Sequence, residues 1–158
     1  MPLLPVPMPV ADALVSRLGF ITETWIKYFT NQTQEIVQAA RVLTSKSLLD
    51  QSASIGTTPF DVTSVPAGIY RLAYYAQVVQ AATVSSSLIV TFLWTNRGAS
   101  LSLAGAAMTG NSLTTVSAGG MLIHVDQGSP ISFSTTYASV GGTPMKYDLH
   151  MTLERLAA

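Results

Sequence analysis

Between Leu72 and Met145 the chain carries only two charged residues, Arg97 and Asp126. The same stretch is cut by Arg97-Gly98, Gly110-Asn111, Gly119-Gly120, Gly128-Ser129-Pro130 and Gly141-Gly142. Turn residues at intervals of roughly 8–12 positions, with β-branched and aromatic runs between them, are the pattern of an antiparallel sandwich or jelly roll. Strands are predicted at Ser52–Ile55, Pro59–Val62, Ile69–Gln80, Ser87–Asn96, Ala99–Met108, Leu113–Val116, Met121–Val125, Ile131–Tyr137 and Met145–Leu153. Charged residues make up 10% of the chain, against ~25% in an average soluble domain. A β-domain so poor in charge either covers itself with Ser and Thr or hides its surface against other subunits, and both are expected here.

Alternation along the strands assigns faces. In the last one Tyr147, Leu149, Met151 and Leu153 share a side, opposite Asp148, His150, Thr152 and Glu154. The segment Ile69–Gln80 is apolar on both sides: Tyr70, Leu72, Tyr74, Ala76 and Val78 on one, Ile69, Ala73, Tyr75 and Val79 on the other. A sandwich covers only one face of each sheet, so Ile69, Ala73, Tyr75 and Val79 are expected to meet a second subunit or the N-terminal helix, with the balance toward a subunit interface.

The first half-hundred residues read differently. Residues 1–20 open with four prolines among Leu3, Leu4, Val6, Met8 and Val10. An extended, polyproline-like arm is expected, lying against another protein through those apolar side chains. Residues 21–45 read as one amphipathic helix, with Thr22 as N-cap and Glu23 in the first turn. Trp25, Phe29, Gln32, Ile36, Ala39 or Ala40, and Leu43 follow at spacings of 4, 3, 4, 3 and 4, a short heptad seam with one polar layer. Such a helix is marginal alone; it packs either on its own β-domain or in a seam between subunits. The whole is therefore expected to be mainly β, a jelly-roll sandwich over residues 46–158 preceded by the arm and the helix.

Chemistry is scarce. There are no cysteines, and the 8 basic and 8 acidic residues cancel, so thiol catalysis, cysteine-bound zinc and an electrostatic nucleic-acid footprint are all unsupported. The start MPLLPVPMPV has no basic n-region, and its prolines exclude a helical signal core. The uncharged run from Leu72 to Asn96 is broken by Gln77, Gln80, Thr83 and Ser85–Ser87, so no membrane span is expected. His124 with Asp126 and His150 with Asp148 are the only metal-like pairs, and outward polar pairs on two strands are the plainer reading. Neither a nucleophile elbow nor a phosphate-cradling glycine loop occurs. Tyr70, Tyr74, Tyr75, Phe92, Trp94, Phe133 and Tyr137 could form a carbohydrate platform, but alternating strand positions make core packing their expected fate.

Two resemblances add to this. VPAGIYRLAYYAQV, Val65–Val78, resembles the P-x-G-x-Y strand of the tumour necrosis factor and complement-type globular heads, trimeric jelly rolls. Over nearly its full length the chain resembles small structural proteins of tailed bacteriophages. The residues that carry this are the Pro-rich start, ITETWIKYFTNQTQ with Tyr28 and Phe29 at the aromatic positions of a T-x-x-W-x-x-F-F helix, AGIYRLAYYAQVVQAATVSSSLIVTFLWTN, and the ending GTPMKYDLHMTLERL. The resemblance implies a virion component, and the residues themselves lead to the expectation of no catalysis, cofactor, metal or nucleic-acid partner. The resemblance also implies a homotrimer anchored by its N-terminal arm at the neck, tail or head. A capsid decoration protein and a receptor- or glycan-binding head are the alternatives.

Overall fold

The computed structural model describes residues 21–38, 41–62 and 65–157. One helix, α1 (Glu23–Gln38), precedes eight strands: β1 (Arg41–Gln51), β2 (Thr58–Pro59), β3 (Gly68–Gln80), β4 (Ser85–Asn96), β5 (Ala99–Ala104), β6 (Val116–Val125), β7 (Ser132–Val140) and β8 (Lys146–Ala157). The strands form two four-stranded antiparallel sheets, ordered β1-β8-β3-β6 and β2-β7-β4-β5. The protein is a β-sandwich with one short helix.

Period-two alternation builds the core between the sheets. Tyr70, Leu72, Ala76 and Val78 of β3 meet Tyr147, Leu149, Met151 and Leu153 of β8 on one side, and Val90, Phe92 and Phe133 close from the other. Phe92 and Phe133 are a direct cross-strand pair, and Phe60 packs its ring 5.4 Å from that of Phe133 and 6.4 Å from that of Phe92. Tyr74 faces the same way and lies over its cross-strand partner Gly119. A Cβ at Gly119 would come within 2.7 Å of the Tyr74 ring, and one at Gly105 would meet the Tyr74 hydroxyl. Those two glycines are the slot that lets a tyrosine fill the end of the sandwich. Tyr147 is buried, which pushes its phenol up; its hydroxyl donates to the Ala53 carbonyl (3.0 Å) and shares a 2.9 Å bond with Thr135. Of the seven aromatics expected to pack inward, Tyr70, Tyr74, Phe92 and Phe133 are core, and Trp94 and Tyr137 pack partly against it. Tyr75 alone of the seven points outward.

The N-terminal boundary differs from the sequence reading. The helix ends at Gln38, and Arg41–Gln51 is the longest edge of its sheet, not a helical tail and linker. Leu43 thus belongs to β1 and packs against the core, not to a helix seam. Register shifts between Val42 and Thr44, and again between Leu48 and Gln51, break the alternation that would have announced this strand. Lys46 disguises it further: it sits at an inward position opposite Met151. Its stem runs out of the open edge so that the ammonium reaches Asp61 (3.1 Å) and the Pro59 carbonyl (3.2 Å), with the Phe133 ring 5.7 Å away. A lysine that lays its methylenes along the core and its charge at the rim satisfies both environments.

Two predicted strands are not strands. Ser52–Ile55 runs beside β7 but is tied largely through side chains: Ile55 donates to Thr135 Oγ1 (2.8 Å) and Tyr137 donates to Ser54 Oγ (3.0 Å). Leu113–Val116 is mostly turn, with β6 beginning at Val116. Eight strands replace the expected nine.

The β4–β5 hairpin closes through Arg97 (φ 53°) and Gly98 (φ 72°), two left-handed residues in a two-residue connection. Asp126 holds this turn from the neighbouring sheet. Its carboxylate accepts from the backbone N–H of Gly98 (2.8 Å) and Arg97 (3.0 Å). These bonds, Gly98 first, hold the Asp126 carboxyl below its ordinary range. The unfolded chain takes up that proton at higher pH than the folded one, so the contribution is complete above the ordinary Asp value of about 3.9 and is lost as pH falls through the lowered value. Asp126→Asn is expected to lower the melting temperature at neutral pH and to converge with the parent chain at strongly acid pH. Melting curves taken across the acid range check this.

Candidate interaction face

The inner face of β1-β8-β3-β6 is core, and its outer face is one of the two broad sheet surfaces of the sandwich. Pairing lays that face out in rows. One row reads Ser47, His150, Tyr75, Ala118 across β1, β8, β3 and β6. The next reads Ser45, Thr152, Ala73, Gly120, and the one beyond pairs Glu154, Arg71 and Leu122. On the other side of the tyrosine row lie Asp148, Gln77 and Val116.

The rows divide the face lengthwise. Towards β6 it is largely apolar: Leu122 is 66% exposed, Val116 52% and Ile69 41%, around the small Ala73, Ala118 and Gly120, with the exposed His124 opposite Ile69 and Arg71 beside Leu122. Towards β1 it is polar. Ser47 Oγ and His150 Nδ1 share a 2.9 Å hydrogen bond, and the His150 ring lies 6.3 Å from that of Tyr75. Arg71 forms an ion pair with Glu154 between the two halves.

The sequence-predicted residues fall on this map unevenly. Ile69, Ala73 and Tyr75 share the outer face, with Val79 half-buried near the strand end where the β3–β8 register shifts. Trp25 and Phe29 stack on α1 at 5.6 Å, with Tyr28 edge-on to both; Glu23 and Lys27 form an i,i+4 ion pair on the same helix. Gln32 and Ile36 continue α1 in the backbone, but their side chains lie outside the described residues. So do Leu3, Leu4, Val6, Met8 and Val10 of the arm. Among the described residues α1 makes no more than marginal contact with any strand, and Ile21, Ile26 and Phe29 are each about half exposed.

The two His/Asp pairs do not converge. His124 lies opposite Ile69 and His150 opposite Tyr75, on strands flanking β3; six residues of strand separate them by about 20 Å. Asp126 is committed to the hairpin turn, and Asp148 accepts the Asp50 N–H at 2.8 Å. No group of three or more His, Cys, Asp or Glu is gathered among the described residues. The Ser47–His150 pair stands on an open sheet with no carboxylate bonded to the imidazole, whose orientation a nucleophilic dyad requires. No described helix is long and apolar enough to cross a membrane.

Val116, Ala118, Gly120 and Leu122, and the Ser45, Ser47 and Thr152 hydroxyls, were not singled out from the sequence. Only the register brings them beside β3, although the outward Leu122 in GGMLIHV was a usable signal. Comparison of the chain with protein-family models and with curated proteins gives no match.

Proposed function

We propose that this chain is a non-enzymatic structural subunit of a tailed-phage virion, a homotrimer anchored by its N-terminal arm. The observation that carries the reading is the largely apolar half of the outer face, Ile69, Val116 and Leu122 around Ala73, Ala118 and Gly120. Low relief and little charge suit a surface covered by protein. A second support is α1, on which Ile26 and Phe29 stay about half exposed. A helix of 16 residues gains its stability from packing, and a seam between copies supplies it.

Strand pairing supports the jelly-roll form of the sandwich. β1 pairs β8, β2 pairs β7, β3 pairs β6 and β4 pairs β5, the ladder made when one long hairpin ribbon is wound round a barrel. The phage assignment rests on the sequence resemblance, carried by the Trp25–Phe29 helix and the charge-poor β-domain.

Area sets how the trimer is held. Two strands of about ten residues cover roughly 10 by 33 Å, some 300 Å² of plane, well short of the ~800 Å² per partner of a stable interface. An α1 flank about 24 Å long and 10 Å wide adds roughly 240 Å², and side-chain relief raises both figures. Face and helix are therefore both needed.

Deleting residues 1–20 is expected to leave a folded sandwich that no longer joins particles. The check is circular dichroism of the truncated chain together with its recovery in purified virions. Full incorporation of the truncated chain would remove the arm from the anchoring role. Crosslinking of the intact arm to major shell protein alone would make the chain a decoration protein.

A further inference from the structure

The polar half of the outer face contains a depression of about 320 Å³ lined by Ser45, Ser47, Ala73, Tyr75, His150 and Thr152. Its shape follows from the rows. Ser45, Thr152 and Ala73 carry short side chains, so their row is a trough beside the longer Tyr75 and His150, with the Arg71–Glu154 row next along the sheet. We infer that this trough binds one pyranose ring of a neutral glycan.

Three observations converge on that ligand class. Tyr75 is 40% exposed, and its ring and that of His150 meet at 33°, a continuous platform two strands wide. The apolar C–H face of a pyranose covers such a platform, the edge hydrogens meeting the negative ring face. Around it stand the hydroxyls of Ser45, Ser47 and Thr152 and the imidazole of His150, each able to donate or accept, as sugar hydroxyls require. The charges at and beside it are already paired, Lys46 with Asp61 and Arg71 with Glu154, so nothing free selects an anion or a cation. The size is at the lower end of ligand sites and suits one ring of a longer chain that continues across the open face.

The site shares Ala73 with the apolar half that is proposed to join subunits, and Tyr75, directly across from Ala118 of that half, must stay open for sugar to bind. The site does not depend on the virion reading, and it requires that the β1–β8 side of the face also stay open in the assembled protein.

The test is saturation-transfer NMR on the full chain with neutral methyl pyranosides (gluco, galacto, manno and N-acetylglucosamine), a neutral polysaccharide and a uronic acid. Transfer to the C–H face of at least one neutral pyranoside or to the polysaccharide is expected. The free glycosides and the polysaccharide distinguish a single-ring site from one that needs a longer chain. Tyr75→Ala should weaken binding about tenfold, Tyr75→Phe should retain it, and Leu101→Ala on the opposite sheet should leave it unchanged. Tyr75 is outside the core, so unchanged melting of the alanine variant certifies its fold. No transfer to any neutral probe, binding of the uronic acid alone, or equal binding by Tyr75→Ala overturns the inference. Because chain mass is read separately, loss of the trimer and loss of sugar binding are distinguishable failures.

Discussion

Phe92→Ala should lower the melting temperature of the sandwich by about 10–20 °C. Phe92 is wholly buried, paired with Phe133 across β4 and β7 and 6.0 Å from the Tyr74 ring. Its removal loses the transfer energy of a benzyl group and leaves a void between rings that cannot close on it. Such truncations cost roughly 3–5 kcal/mol, a large share of the 5–15 kcal/mol that holds a domain of this size. Each kcal/mol is worth a few degrees. Leu122→Ala makes the contrast: a leucine two-thirds exposed gives up little in the isolated subunit and should shift melting by about a degree or two. Thermal scans of the two variants side by side separate core from face. Equal losses would mean that the buried and exposed faces of the sandwich are misassigned.

Val116→Lys together with Leu122→Lys should abolish association while the sandwich stays folded. Both side chains lie on the outer face of β6, six residues apart, and both are more than half exposed. In the subunit the new ammonium groups sit in water at little cost. In an interface they would be desolvated without a free counter-ion, since the carboxylates in their rows are already held, Glu154 by Arg71 and Asp148 by the Asp50 N–H. Removing an unpaired charge from water costs several kcal/mol, so association should weaken by about 100-fold or more. Sedimentation of the double variant against the parent chain is the check. Unaltered assembly would show that the β6 half of the face is not where copies meet.

How far the sequence reveals this molecule depends on whether a signal is local. The core was legible because it repeats with period two: Tyr147, Leu149, Met151 and Leu153 could be assigned inward from β8 alone. The two-sided β3 was legible for the same reason, and Ile69 and Tyr75 do lie exposed on the far face. β1 was hidden because two register irregularities and an inward lysine scramble its pattern, so Leu43 was attached to a helix that ends five residues earlier. The interaction face was half legible. Its β3 side chains announce themselves, but Leu122 and Val116 join them only through the β3–β6 register. Ser47 reaches His150 only through a pairing of residues 103 apart. Long-range register follows from the closing of the whole ladder, and no short window of sequence contains it. The trough is invisible for the same reason, being made by the small residues of three strands falling in one row.

Copies of this chain are proposed to assemble through α1 and the largely apolar half of one sheet. That assembly is tested most directly by the native mass of the full chain in solution, measured by sedimentation or native mass spectrometry across the micromolar range. A mass near three times 16.7 kDa is expected. A monodisperse species of one chain throughout that range would contradict it.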